Sequence, residues 1–165
     1  KQAREIVSDA ARSVNMPYVT DRWLGGMMTN FATIRRSVRK MQNIERMLSD
    51  GSLSSITKKE RLTLTREHAK LDKVLGGIAN LNRIPSAMFI IDIHHEHIAI
   101  AEAHKLGVRT IGVVDTNSDP NEVDYPIPGN DDASKSIAII TNYITEMIKL
   151  GQSDRKQAKT EKESA

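Results

Sequence analysis

The 165-residue chain reads as an α/β protein, a parallel sheet with helices on both faces into which a basic, antiparallel helical hairpin is inserted. Three observations lead there. Ala87-Met88-Phe89-Ile90-Ile91-Asp92 and Thr110-Ile111-Gly112-Val113-Val114-Asp115 are apolar runs of strand length, the pattern of strands buried on both faces. Helical segments alternate with these runs, the order that builds a parallel sheet. Two amphipathic stretches joined by a short turn lie between Thr29 and Ile84, which is the pattern of a helical hairpin.

In chain order, Lys1 to Val14 is helical, with Ile6, Ala10, Ala11 and Val14 near helical spacing. The chain opens inside this pattern and not at a methionine, so N-terminal residues are expected to be missing. Met16 to Thr20 reads as a short strand, and Gly25-Gly26 punctuates the chain after it. Thr29 or Asn30 is placed to cap a helix from Phe31 to Leu48, whose stripe is Ile34, Val38, Met41, Ile44 and Leu48. Ser49 to Ser52 is a turn. Thr57-Lys58-Lys59-Glu60 has the capping-box form, and Leu64, His68, Leu71, Leu75 and Ile78 continue a second stripe. After Pro85 come the strand ending at Asp92, a helix from Glu96 to Leu106 that Gly107 terminates, and the strand ending at Asp115. Tyr125 to Pro128 reads as a short third strand, which its two prolines put at a sheet edge or make barely regular. Asn130 or Asp131 caps a last helix carrying Ile137, Ile140, Ile144 and Ile148, expected to end at Gly151. The resulting division is a body of residues 1–28 and 85–151, a hairpin of residues 29–84, and a polar tail of residues 152–165 expected to be disordered.

Composition narrows the function classes. Hydrophobic residues make up 39% of the chain, enough for one compact core. There is no cysteine, so disulfides and thiolate metal sites are excluded. No apolar run approaches the ~18–20 residues of a membrane helix. The net charge of +3 conceals a division. Residues 22–83 carry thirteen basic and five acidic side chains, whereas residues 84–150 carry four and ten. One part of the molecule is therefore suited to a polyanion and another is not.

The cations lie off the hairpin's apolar stripes. They are Arg35, Arg36, Arg39, Lys40 and Arg46 on the first helix, and Lys58, Lys59, Arg61, Arg66, Lys70 and Lys73 on the second. Arg35 with Arg39, Arg36 with Lys40, and Arg66 with Lys70 are like-charged pairs four residues apart, which disfavour an isolated helix. A phosphate backbone would offset that repulsion. A solvated charged face is the plainer reading, and the charge division weighs against it. Arg22-Trp23 adds a cation beside the only tryptophan, suited either to stacking on a base or to anchoring the hairpin.

Three other constellations bear on chemistry. His94, His95, His97 and His104 cluster after the first apolar strand, but His95-Glu96-His97 lacks the two-histidine spacing of a zinc protease. Asp92 and Asp115 end strands, where ligands of open parallel sheets sit, and Asp115, Asp131 and Asp132 are three carboxylates able to hold a divalent cation, zinc or magnesium. A metal- or nucleotide-binding α/β enzyme is thus the rival reading. Against it, Gly25-Gly26 and Gly76-Gly77 lack the flanks of a phosphate loop, and there is no nucleophile motif. A protein-interaction module that grips an acidic partner is a third reading.

Arg22-Trp23-Leu24-Gly25-Gly26-Met27 with Thr29-Asn30-Phe31, Val114-Asp115-Thr116-Asn117 with Asp119-Pro120, and Ile127-Pro128-Gly129-Asn130-Asp131-Asp132-Ala133 together resemble the bacterial small-subunit ribosomal protein two family. The resemblance runs from Lys1 to about Gln152. It implies a flavodoxin-like three-layer body with an inserted coiled-coil hairpin. It also implies a non-catalytic, structural role in the cytoplasm on the small ribosomal subunit, contact with small-subunit rRNA and neighbouring ribosomal proteins, and help in seating the mRNA-binding ribosomal protein one. No membrane and no required cofactor are expected. The resemblance further implies a metal pocket at Asp115, Asp131 and Asp132. The residues taken as RNA-binding are Arg22, Trp23, Asn30, Arg35, Arg36, Arg39, Lys40, Arg46, Lys58, Lys59, Arg61 and Arg66.

Overall fold

The computed structural model describes residues 2–50 and 57–163. In chain order the helices are α1 (Ala3–Ser13), α2 (Phe31–Ser49), α3 (Lys58–Leu75), α4 (His97–Leu106) and α5 (Ser134–Glu163). The strands are β1 (Ala87–Ile90), β2 (Arg109–Val114) and β3 (Tyr125–Pro128). The three strands form one parallel sheet in the order β1-β2-β3. Ala87 pairs with Arg109, and Ile111 pairs with Tyr125. β3, with its two prolines, is an outer strand, as a residue that cannot donate to a ladder requires. Gly112 lies where β2 passes Ile93 and Val123. A Cβ there would lie 2.7 Å from the Ile93 side chain and 3.0 Å from that of Val123, so only glycine fits without displacing both.

Among the described residues the interior has three clusters. Ile90, Ile93, Ile100 and Val123 fill the space under the sheet. Met27, Ile34, Val38, Met41, Leu75 and Ile78 join α2 to the end of α3 and to the loop before α2. Met28, Ala103 and Val108 join that loop to α4, and Trp23 packs against both of these last two groups. α1 packs against α5, and α2 against α3. Side-chain bridges between α2 and the α3 side run in opposite chain directions, because Arg35 meets Ala79 and Asn82 while Lys40 meets Glu67.

Most of the sequence pattern is realised. The α3 capping box is complete. Thr57 N–H donates to Glu60 Oε2 at 3.0 Å, and the Glu60 N–H donates to Thr57 Oγ1 at 3.3 Å. Gly107 ends α4 in the left-handed conformation, φ 67°, where a Cβ would be strained. Four expectations change. Met16 to Thr20 is irregular and not a strand, its Tyr18 N–H going to the Gly77 carbonyl at 3.0 Å. Neither Thr29 nor Asn30 caps α2 through its side chain, because the Thr29 hydroxyl is turned to Glu102. α3 gives way to a 3-10 turn at Gly76–Ile78, so Ile78 lies beyond it. α5 does not stop at Gly151, and the tail expected to be disordered is helical through Glu163. An interior glycine costs only about 1 kcal/mol relative to alanine, and the residues after it are mostly good helix formers. The Gln152 side chain also donates to the Val14 carbonyl at 2.9 Å. The expected turn at Ser49 to Ser52 lies partly outside the described residues; Ser49 closes α2 and Asp50 follows it.

Candidate nucleic-acid interface

Helical geometry sorts the cations of α2 and α3. Side chains three and four residues apart share a face, so the buried stripe Ile34, Val38, Met41 and Ile44 leaves Arg36, Arg39, Asn43 and Arg46 on the opposite side. Arg36, Arg39 and Arg46 are exposed there, and on α3 so are Lys58, Lys59, Arg61 and Arg66. Lys58 and Lys59 occupy the first turn of α3, where the helix dipole disfavours cations. Folding therefore gains nothing electrostatic from placing them there.

Not every predicted cation faces outward. Arg35 is half-buried and committed to the hairpin, its guanidinium donating to the Ala79 carbonyl at 3.2 Å and to Asn82 Oδ1 at 2.9 Å. Lys40 is paired with Glu67 across the two helices. Arg35 and Lys40 are structural braces as well as charges. Lys73, another cation of α3, holds Asp21 at 3.2 Å, and Arg4 approaches the same carboxylate at 3.7 Å. The Lys73 ammonium keeps the Asp21 carboxyl below its ordinary value, against a smaller opposing effect of burial. Arg22 and Asn30 are exposed at the root of α2.

Trp23 is half-buried in the same root. Its indole packs between two core clusters and its Nε1 donates to Glu102 Oε1 at 3.2 Å, so it ties the loop before α2 to α4. Glu102, on α4, is 6% exposed. It also accepts from Gly26 N–H at 2.6 Å, Met28 N–H at 2.9 Å, Thr29 N–H at 2.9 Å and Thr29 Oγ1 at 3.0 Å. Burial alone would raise its pKa, but the N–H groups of Thr29, Met28 and Gly26 and the indole outweigh burial and bring it to about 2. The Gly25-Gly26 loop thus does gather backbone N–H groups around an anion, and that anion is the protein's own carboxylate. Sequence reasoning missed Glu102. The available signal was a lone carboxylate in the apolar helix Ile98 to Leu106.

The carboxylates at the strand ends are arranged differently. Asp115 accepts from Thr116 N–H at 2.6 Å and from Asp131 N–H at 3.2 Å, and these bonds hold its pKa low. Asp131 Oδ2 is buried with no hydrogen-bond partner. Burial first, then the charges of Asp92, Asp115 and Asp132, push its pKa up. Asp132 is exposed. Asn130 Oδ1, not a carboxylate, collects the N–H groups of Asp132 and Ala133 ahead of α5, each at 2.9 Å. Asp92 takes a positive φ of 63° and accepts from His95 N–H at 3.0 Å. His94, His95 and His97 line an open depression with Glu122. Among the described residues no three histidine or acidic side chains converge as a metal cage.

Residues 1–151 match the family model described as Ribosomal protein S2. Among curated relatives, the small ribosomal subunit protein uS2 of Cytophaga hutchinsonii is 57% identical over 159 residues, 96% of this chain and 63% of that protein. The protein of the same description from Christiangramia forsetii is 56% identical over 94% of this chain and 52% of its own length. That of Parabacteroides distasonis is 50% identical over 100% of this chain and 59% of its own length. The chain thus spans between 52% and 63% of these relatives.

Proposed function

Since the chain belongs to the ribosomal protein S2 family, we propose that it is a non-catalytic constituent of the small ribosomal subunit in the cytoplasm and that α2 and α3 form its rRNA-binding arm. The observation that carries the reading is the exposed row Arg36, Arg39 and Arg46 on the side of α2 opposite its buried stripe, within a segment of thirteen basic and five acidic residues. Such a row gains from binding phosphates through counterion release. The names of the relatives, each a small ribosomal subunit protein, support the same reading.

In this reading α2 and α3 are an antiparallel coiled-coil hairpin inserted into a flavodoxin-like, three-layer body. The opposed order of their side-chain bridges and their shared apolar cluster support the hairpin. The parallel sheet supports the body. The arm takes rRNA, the body takes neighbouring ribosomal proteins, and the whole helps to seat the mRNA-binding ribosomal protein one.

A divalent cation, zinc or magnesium, at Asp115, Asp131 and Asp132 belongs to the same proposal. The unpartnered oxygen of Asp131 beside other carboxylates supports it. Among the described residues the three carboxylates form no ready cage, so such an ion would draw them together around that oxygen.

The test of the arm is binding of the purified chain to small-subunit rRNA at several salt concentrations. Arg36→Glu with Arg39→Glu is expected to weaken binding and to reduce the salt slope by about two, roughly one for each phosphate no longer neutralised. An unchanged slope and affinity would remove the arm from the interface.

A further inference from the structure

Glu102 sits on α4 of the body, yet every group that donates to it lies in residues 23–29, immediately before α2. Five donors on one carboxylate leave that loop little freedom. Gly26 adopts φ 86° within it, and the Met28 side chain is buried against Ala103 and Val108. α2 begins at Phe31, two residues after Thr29, so the direction of α2 is set where the loop is tied. The other side of the root is held separately, by Tyr18 N–H on the Gly77 carbonyl and by Lys73 on Asp21.

We propose that Glu102 is the positioning residue of the arm, a buried carboxylate latch that fixes the direction of α2 relative to the body so that the cations of arm and body-side root meet one RNA surface together. The proposal rests on the RNA-binding reading for its purpose, though not for the latch itself. Glu102 touches no RNA in this scheme. It acts through the loop, and its effect is on the fraction of molecules whose arm is already oriented.

A glutamine keeps the shape but turns an NH2 group toward two or three of the donors, depending on how its amide is placed. Glu102→Gln is therefore expected to loosen the loop without removing any cation. The chain lacks cysteine, so spin labels on Gln42→Cys in α2 and Asn142→Cys in α5, both exposed, report the arm's direction cleanly. The unaltered latch should give a narrow distance distribution and Glu102→Gln a broad one, with helix content retained. If the oriented state falls to about a tenth of the population, rRNA affinity falls about tenfold. The salt slope should stay unchanged, unlike that of Arg36→Glu with Arg39→Glu, because the same phosphates are still met.

A distribution that stays narrow in Glu102→Gln overturns the proposal. So does a broad distribution with unchanged affinity, or an affinity loss that carries the salt slope down with it. If Glu102→Gln fails to fold, Thr29→Val, which removes a single hydroxyl donor, is read the same way, with broadening in its favour and an unchanged distribution against it. Failure of the unaltered chain to bind rRNA would instead defeat the RNA-binding reading, and the distance measurement would then decide the latch alone.

Discussion

Glu102 at the root of the arm and Asp131 at the carboxyl end of the sheet are both withdrawn from water, and they are held in opposite ways. Glu102 receives five hydrogen bonds and its pKa falls to about 2. Asp131 keeps one oxygen buried without a partner among other carboxylates, and its pKa rises. A saturated carboxylate organises the backbone around it, whereas an unsaturated one is a local cost that persists unless something else offsets it. The loop before α2 is thus tied by its hydrogen bonds, and the sheet end keeps an unsatisfied carboxylate.

The sharpest way to break this comparison is truncation. Glu102→Ala leaves three backbone N–H groups and the indole without their acceptor, and is expected to cost about 3 kcal/mol. The check is a fall in the urea midpoint with an unchanged slope. A loss below about 1 kcal/mol would mean that water replaces the carboxylate, and that the root is no more rigid than the sheet end.

Two glycines sharpen the contrast in packing. A Cβ on Gly77, at the root, would lie 2.2 Å from the Tyr18 carbonyl oxygen, so Gly77→Ala must move backbone and is expected to cost about 2 kcal/mol. A Cβ on Gly129, at the sheet end, would meet the Ile140 Cδ1 at 2.8 Å. That atom is the far end of a flexible side chain, and Gly129→Ala should cost less than about 1 kcal/mol. Thermal unfolding of the two variants side by side tests the difference.

The smallest effect has the opposite sign. In the presence of a chelator, Asp131→Asn removes a disfavoured charge and is expected to stabilise by about 1 kcal/mol or less at neutral pH. With zinc or magnesium added the same change should destabilise, because it removes a charged ligand of the proposed cation site. The pH dependence separates the two carboxylates further. Asp131 has a folded pKa above its ordinary 3.8, so its cost is present at neutral pH and is relieved as pH falls through the raised value toward 3.8. Wild type and Asp131→Asn should therefore converge in that window. Glu102 has a folded pKa of about 2 against an ordinary 4.5. Its contribution is complete above 4.5 and is lost only as pH falls toward about 2, so wild type and Glu102→Gln should converge there. Convergence of both pairs in one window would erase the contrast.

Much of the fold was legible from local pattern. The run at Ala87 to Asp92 contains β1, the run at Thr110 to Asp115 covers all of β2 except Arg109, the stripe Ile34, Val38, Met41 and Ile44 is the buried face of α2, and Thr57 and Glu60 form the capping box they spell. Met16 to Thr20 is not a strand because a short apolar segment has the same composition whether it pairs with a strand or packs on the turn at Gly77. Gly151 is not a stop because its local cost is outweighed by helix formers after it and by the Gln152 bond to Val14. At the candidate interface the cations were legible and their uses were not. Arg35 and Arg36 are neighbours of one chemical type, and only the presence of Ala79 and Asn82 opposite the first distinguishes a brace from an outward charge.

The sequence by itself determined where the two apolar strands and the amphipathic helices form and which segment carries the positive charge. Each of these follows from residue chemistry and spacing within a few turns of chain. Only the tertiary structure decided that Trp23 packs between two core clusters, that Glu102 closes the loop 73 to 79 residues away from it in the chain, and that Asp131 has an oxygen left without a partner. Hydrogen-bond saturation and desolvation depend on which groups folding brings together, and no local spacing encodes that.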